Sequence, residues 1–252
     1  MLRIEIKRSA FLIPVLLLSV AIAACGVTAT PAPVEAVAPV TATADEEVTY
    51  GDNGESMVID TVASSDVLNQ VTADALSDAE IEGLLYMREE EKLARDVYLT
   101  LYEKWGMRIF QNISGSEQTH MDAVKTLLDR YDLDDPAAGT DVGVFTNQTL
   151  QELYDQLVDE GSQSLAGALR VGAAIEEIDI LDLEERIAQT DNGDIQLVYE
   201  NLTRGSRNHL RAFVSTLERQ AGEVYQPQYL SQTTYDGIVN TSREGGRGRS
   251  RS

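Results

Sequence analysis

Glu117 and His120, in the run Glu117-Gln118-Thr119-His120, are three residues apart. On a helix they share one face, about 5–6 Å apart, and can address one metal ion or a close pair. That spacing is common by chance, but the chain has only two histidines, and the second, His209, falls in line with Leu202, Ala212, Phe213 and Leu217 on an inward helical stripe. Glu91 sits on a similar stripe with Leu84, Met87, Ala94, Tyr98 and Leu101, although Glu90 could be the inward member of Glu89-Glu90-Glu91. Glu176 follows Leu165, Leu169 and Gly172 and precedes Leu183, with Asp179 one turn further on. Four helical segments therefore each aim a ligand-type side chain at a common axis. Burying carboxylates in an apolar core costs on the order of several kcal/mol each unless a counter-charge meets them. Hard carboxylates with imidazoles suit iron or manganese, held as a mononuclear or dinuclear centre. Each residue also has an ordinary structural reading, Glu91 as a solvated acid and the histidines as hydrogen-bonding core residues, but the joint pattern favours a metal. Tyr98 and Tyr102 lie near enough in sequence to serve as redox or hydrogen-bonding groups.

The elements that must position these residues read as helices throughout. Ser77-Asp78-Ala79-Glu80 has the form of a capping box, and an apolar stripe from Ile81 to Leu101 runs on to a stop at Gly106. A second pattern runs from Phe110 to Tyr131 and ends before Asp134-Asp135-Pro136. After a loop to Thr146, Leu150, Leu153, Tyr154 and Leu157 predict a short helix closed by Gly161. A third long helix spans Leu165 to Ile187, and a fourth runs from about Asp194 to Ala221, with Gly205 as an expected interruption or kink. The segment after Ala221 reads as an irregular wrap, and no strand pattern emerges. The expectation is an all-α fold, a four-helix bundle with one long crossover containing a short extra helix, which is the ferritin-like topology.

The ends of the chain have a different character. Arg3, Lys7 and Arg8 precede an uncharged run from Ser9 to Ala24, the layout of a secretory signal. As a helix that run reaches only about 24 Å, short of the roughly 30 Å hydrocarbon core of a membrane. Ile22-Ala23-Ala24-Cys25 resembles a bacterial lipobox, and Cys25 is the chain's single cysteine. Residues 1–24 are thus expected to be a lipoprotein signal peptide. Residues 25–76 are read as a lipidated Cys25 with a disordered Ala/Pro/Thr linker, 77–240 as the helical domain, and 241–252 as a disordered Arg/Gly/Ser tail. The expected location is the bacterial cell envelope, with the membrane as partner through lipid on Cys25. With 20 Lys plus Arg against 42 Asp plus Glu, the chain carries −22, a charge that repels nucleic acid. A surface protein or a second copy of the chain completes the expected partners. No serine or cysteine nucleophile arrangement, phosphate loop or glycosidase signature is present.

Four segments in order, Glu90-Glu91-Lys92-Leu93-Ala94-Arg95-Asp96-Val97-Tyr98, Ser116-Glu117-Gln118-Thr119-His120-Met121, Ile175-Glu176-Glu177-Ile178-Asp179-Ile180 and Gly205-Ser206-Arg207-Asn208-His209-Leu210, resemble the ferritin-like proteins grouped as domain of unknown function 2202. The resemblance spans about Leu84 to Tyr235 and implies a ferritin-like fold and a metal site, but no agreed activity. Two function classes follow: a metal-binding protein of di-iron or manganese carboxylate type with oxygen or peroxide chemistry, or a non-catalytic helical binding module with a structural or vestigial site. Compared with ferritins proper, Ser206 stands where a second Glu-x-x-His would need Glu. The expected centre is therefore asymmetric, with the carboxylates of the first and third long helices bridging and the position near His209 weaker. Occupancy is expected to fall below about pH 6, near the ordinary histidine pKa.

Overall fold

A computed structural model of the chain describes residues 74–245. The expected signal segment 1–24, Cys25, most of the expected linker and residues 246–252 of the expected tail lie outside the described residues. Within them six helices form and no strand: α1 (Asp78–Trp105), α2 (Arg108–Arg130), α3 (Gln148–Gly161), α4 (Leu165–Gln189), α5 (Gly193–Ala221) and α6 (Gln232–Val239). None is long and apolar enough to cross a membrane.

Helix α1 starts on the capping box read from sequence. The Ser77 hydroxyl accepts from the Glu80 N–H while the Ser77 N–H donates to the Glu80 carboxylate at 2.8 Å, so two of the helix's orphan donors are satisfied. It ends at Gly106, whose φ of +63° is the left-handed conformation a side chain would oppose. Two residues then connect α1 to α2, and three connect α4 to α5, so each pair forms an antiparallel hairpin. Across the bundle, the Tyr86 hydroxyl reaches Asp182 and the Tyr98 hydroxyl reaches Gly172 and Glu176, which sets α1 antiparallel to α4. Tyr131 meets Asp194 and His209 meets Ser116, which sets α2 antiparallel to α5. The four long helices therefore run up, down, down, up, and the single long crossover between α2 and α4 carries α3.

One end of the bundle is filled by Leu84, Met87, Val124, Leu127, Leu183, Val198 and Leu202, drawn from all four long helices. Each such aliphatic side chain withdrawn from water contributes about 1.5–3 kcal/mol. Towards the other end Tyr98, Phe110 and Phe213 stack against one another, with ring centroids 5.1–6.4 Å apart. Helix α4 comes so close there that a Cβ on Gly172 would lie 2.4 Å from the Phe213 ring, which is why that turn carries glycine. Between these two apolar plugs lies the band that holds Glu91, Glu117, His120, Glu176 and His209.

The crossover is clamped by buried charged residues of α1. Glu89 accepts from the Thr146 N–H, the Thr146 hydroxyl and the Asn147 N–H, so it caps the approach to α3. Buried Lys92 bridges Asp96 and the Asp141 carbonyl, and the Gly143 N–H donates to Asp96. On the far side, Glu177 of α4 accepts backbone N–H groups of Gln228, Tyr229 and Leu230, pinning the segment that leads into α6. Covered on both sides, α4 is buried all round from Gly167 to Ile180 apart from Arg170.

Three expectations differ from the structure. Helix α5 passes through Gly205 unbroken, because the roughly 1 kcal/mol intrinsic penalty of one glycine is small beside the packing of a 29-residue helix. The C-terminal wrap also contains α6, started by Ser231, whose hydroxyl accepts from the Thr234 N–H. Residues 241–245, assigned to the tail, lie against α5, where Glu244 pairs with Arg207 and Arg211.

Candidate metal centre

All five principal candidates converge. Glu91 comes from α1, Glu117 and His120 from successive turns of α2, Glu176 from α4 and His209 from α5, and each is at most 5% exposed. Two triads have ligand atoms within 4.8 Å of one another, Glu91 with Glu117 and His120, and Glu117 with Glu176 and His209; either could hold a metal ion. Glu117 belongs to both. One of its oxygens lies 2.8 Å from His120 Nδ1 and the other 2.9 Å from His209 Nδ1. His120 Nδ1 also lies 3.2 Å from Glu91, and His209 Nδ1 lies 3.5 Å from Glu176. The two imidazoles face each other with centroids 5.5 Å apart.

This geometry departs from the expected asymmetry. The shared carboxylate comes from α2, not from α1 or α4, and each triad has two carboxylates and one imidazole, so the His209 side lacks no charge. Ser206 belongs to neither triad, and its hydroxyl lies within hydrogen-bond distance of both Asp179 and the Leu202 carbonyl. Glu90 and Asp179, the secondary candidates, belong to neither triad.

Neighbouring side chains fix the ligands. The Tyr98 hydroxyl donates to Glu176 Oε1 at 2.5 Å, leaving Oε2 towards His209. The Ser116 hydroxyl lies 2.9 Å from His209 Nε2, which turns Nδ1 to the carboxylates; such outer contacts set imidazole orientation and tautomer. Sequence reading gave Ser116 no role, since a serine beside a helical glutamate carries no periodic signal. Tyr102, by contrast, is half-exposed and makes none of these contacts.

Burial opposes charge on every member, and the outcome depends on what each faces. Burial alone would raise the Glu117 carboxyl, but His209 and His120 outweigh it and hold it below the usual carboxylate range. Burial would lower both imidazoles, yet Glu117 with Glu91 raises His120 well above 6.5, and Glu117 with Glu176 brings His209 to about 10. Glu91 is pushed up to about 7 by burial, with His120 opposing the rise. Burial and the neighbouring Glu117 likewise raise Glu176. A divalent cation fits this donor set on one further observation. Glu91 Oε1 is buried without an aligned hydrogen-bond partner, and Glu117 Oε1 and His209 Nδ1 meet only each other, as an ion pair at 2.9 Å, whereas the great majority of buried polar atoms in proteins are hydrogen-bonded.

Residues 80–242 match the family model of the uncharacterized protein domain DUF2202. The chain belongs to this family. It is 54% identical over 182 residues to the uncharacterized protein MJ0754 of Methanocaldococcus jannaschii, a match that takes in 72% of this chain and 98% of that one. The crystal structure of hypothetical protein MJ0754 from Methanococcus jannaschii superposes with a TM-score of 0.68 at 55% identity, covering 69% of this chain and 99% of the other. All the candidate ligands, from Glu90 to His209, lie inside the family's boundaries.

Proposed function

We propose that this is a ferritin-like metal-binding protein of the di-iron or manganese carboxylate type, exported and anchored at the cell envelope through lipid on Cys25. What supports the metal reading above all is Glu117, one buried carboxylate placed between two imidazoles with a further carboxylate beyond each. Glu91, Glu117 and His120 would hold one cation, and Glu117, Glu176 and His209 a second. The up-down-down-up helix order with a single crossover supports the ferritin-like assignment. Bound iron or manganese would supply one-electron chemistry toward oxygen or peroxide. The chain's own part is to orient the ligands through Tyr98 and Ser116, and to exclude bulk water with the aromatic plug on one side and the aliphatic plug on the other. A binding module with no metal leaves the buried Glu91 Oε1, which has no aligned hydrogen-bond partner, without an account.

One experiment addresses both halves of the proposal. The full chain, expressed in a bacterium and recovered from the membrane fraction without chelator, is expected to carry a fatty-acid label and iron or manganese together. Cys25→Ser should lose the label and the membrane location but keep the metal. Undiminished labelling of Cys25→Ser would sink the anchor, and a metal-free wild type that takes up none on incubation would sink the metal centre.

A further inference from the structure

The two triads share Glu117 but differ in how their other carboxylate is held. Glu176 is tethered: the Tyr98 hydroxyl donates to its Oε1 at 2.5 Å. Tyr98 is itself fixed in place, being fully buried with its ring packed on Phe213 and Phe110, centroids 5.1 and 6.4 Å apart. Its hydroxyl therefore occupies one Glu176 oxygen and leaves Oε2, 3.5 Å from His209 Nδ1, for a cation. Glu91 has no such tether. Its Oε2 lies 3.2 Å from His120 Nδ1, and its Oε1 is buried with no aligned hydrogen-bond partner, so both oxygens are available. Glu117 gives one oxygen to each side. The chain thus offers three donors at the His209 position, from Glu117, Glu176 Oε2 and His209, and four at the His120 position, from Glu117, both oxygens of Glu91 and His120.

We propose that Tyr98 is a specificity-determining residue: by withholding one Glu176 oxygen it makes the His209 position favour a four-coordinate cation and leaves the His120 position to one of higher coordination number. The inference rests on the metal-binding reading of the Glu/His centre and adds a difference between its two positions. Three protein donors with one place left for water or substrate suit tetrahedral Zn2+. Four protein donors, three of them carboxylate oxygens, are a better start on the octahedral, oxygen-rich shell of Mn2+. Zn2+ remains the tighter binder at both positions, as the order of divalent affinities requires, but its margin over Mn2+ is wider beside His209. Hydrogen bonds to a ligating carboxylate are a common means of such tuning.

The test isolates each position in the full chain and reads it with Co2+, whose visible bands are intense in tetrahedral and weak in octahedral surroundings. Glu91→Gln leaves the His209 position and should give intense bands, whereas Glu176→Gln leaves the His120 position and should give weak ones. Adding Tyr98→Phe to Glu91→Gln frees Glu176 Oε1. The bands should weaken, and the preference for Zn2+ over Mn2+, read by competition, should fall by about tenfold. Adding Tyr98→Phe to Glu176→Gln should change neither. Phenylalanine keeps the ring in the aromatic plug, so the variant is expected to fold, which its melting temperature checks. Equal spectra from the two positions, or bands and preference beside Glu176 that Tyr98→Phe leaves unchanged, would overturn the role of Tyr98 while leaving the centre standing. Wild type that takes up no Co2+ would remove the centre itself, and this inference with it.

Discussion

Glu117→Gln is expected to remove both metal positions at once, lowering affinity at each by about 100-fold or more. Removal of Glu91 or Glu176 should weaken mainly the position it adjoins. The asymmetry of effect follows from geometry, because the two Glu117 oxygens lie 2.8 and 2.9 Å from different imidazoles. Calorimetric titration with Mn2+ or Zn2+ reads it directly, as two steps in the wild type and none at micromolar concentration in Glu117→Gln. The same change leaves His120 and His209 without their shared counter-charge. Breaking a buried ion pair costs about 3–5 kcal/mol, so the variant's melting temperature should fall as well. Glu91→Gln serves as the folded control: it should retain the His209 position. Two undisturbed binding steps in Glu117→Gln would show that the cations sit elsewhere.

Raising the pH should strengthen metal binding steeply, and over a higher range than an isolated histidine would give. Both imidazoles have folded pKa values above their ordinary 6.5, so their ion pairs with Glu117 contribute stability that is fully present below pH 6.5. For His209 that contribution is lost as the pH rises through about 10. Metal loading runs the other way, because a cation must displace the proton from the nitrogen it takes. Glu117, held below the usual carboxylate range, releases none. Affinity at the His209 position should therefore climb about tenfold per pH unit between pH 6.5 and 9. At the His120 position the slope should approach two protons per metal below pH 7, where Glu91 also carries its proton. The fall in occupancy expected from sequence below about pH 6 thus begins earlier in the folded protein. Proton release during calorimetry in two buffers of different ionisation enthalpy checks this count, and an affinity independent of pH between 6.5 and 9 would contradict it.

The bundle and the inward band were legible because both depend on short-range periodicity. Ser77 with Glu80 marked the start of α1, and stripes three and four residues apart placed Glu91, Glu117, His120, Glu176 and His209 on faces that meet. What sequence could not supply were partnerships between residues far apart in the chain. Glu89, Lys92, Asp96 and Glu177 carry no periodic signal of burial, yet all are buried, because their partners come from the crossover and from the segment after α5. The identity of the shared carboxylate is of the same kind. Nothing in the local run around Glu117 distinguishes it from Glu91 or Glu176 until α5 brings His209 across from the opposite side. Ser206 shows the converse limit: compared with a ferritin pattern it was a missing ligand, whereas in this bundle its hydroxyl serves Asp179. Gly205 and α6 were misjudged for a simpler reason, since propensity is a weak guide once tertiary packing decides.

Crystals of the helical domain equilibrated with Mn2+ and measured for anomalous scattering test the central claim most directly. The account predicts two manganese peaks on either side of Glu117, one among Glu91, Glu117 and His120 and the other among Glu117, Glu176 and His209. A bundle that diffracts well from millimolar Mn2+ with no anomalous peak within reach of Glu117 would contradict it.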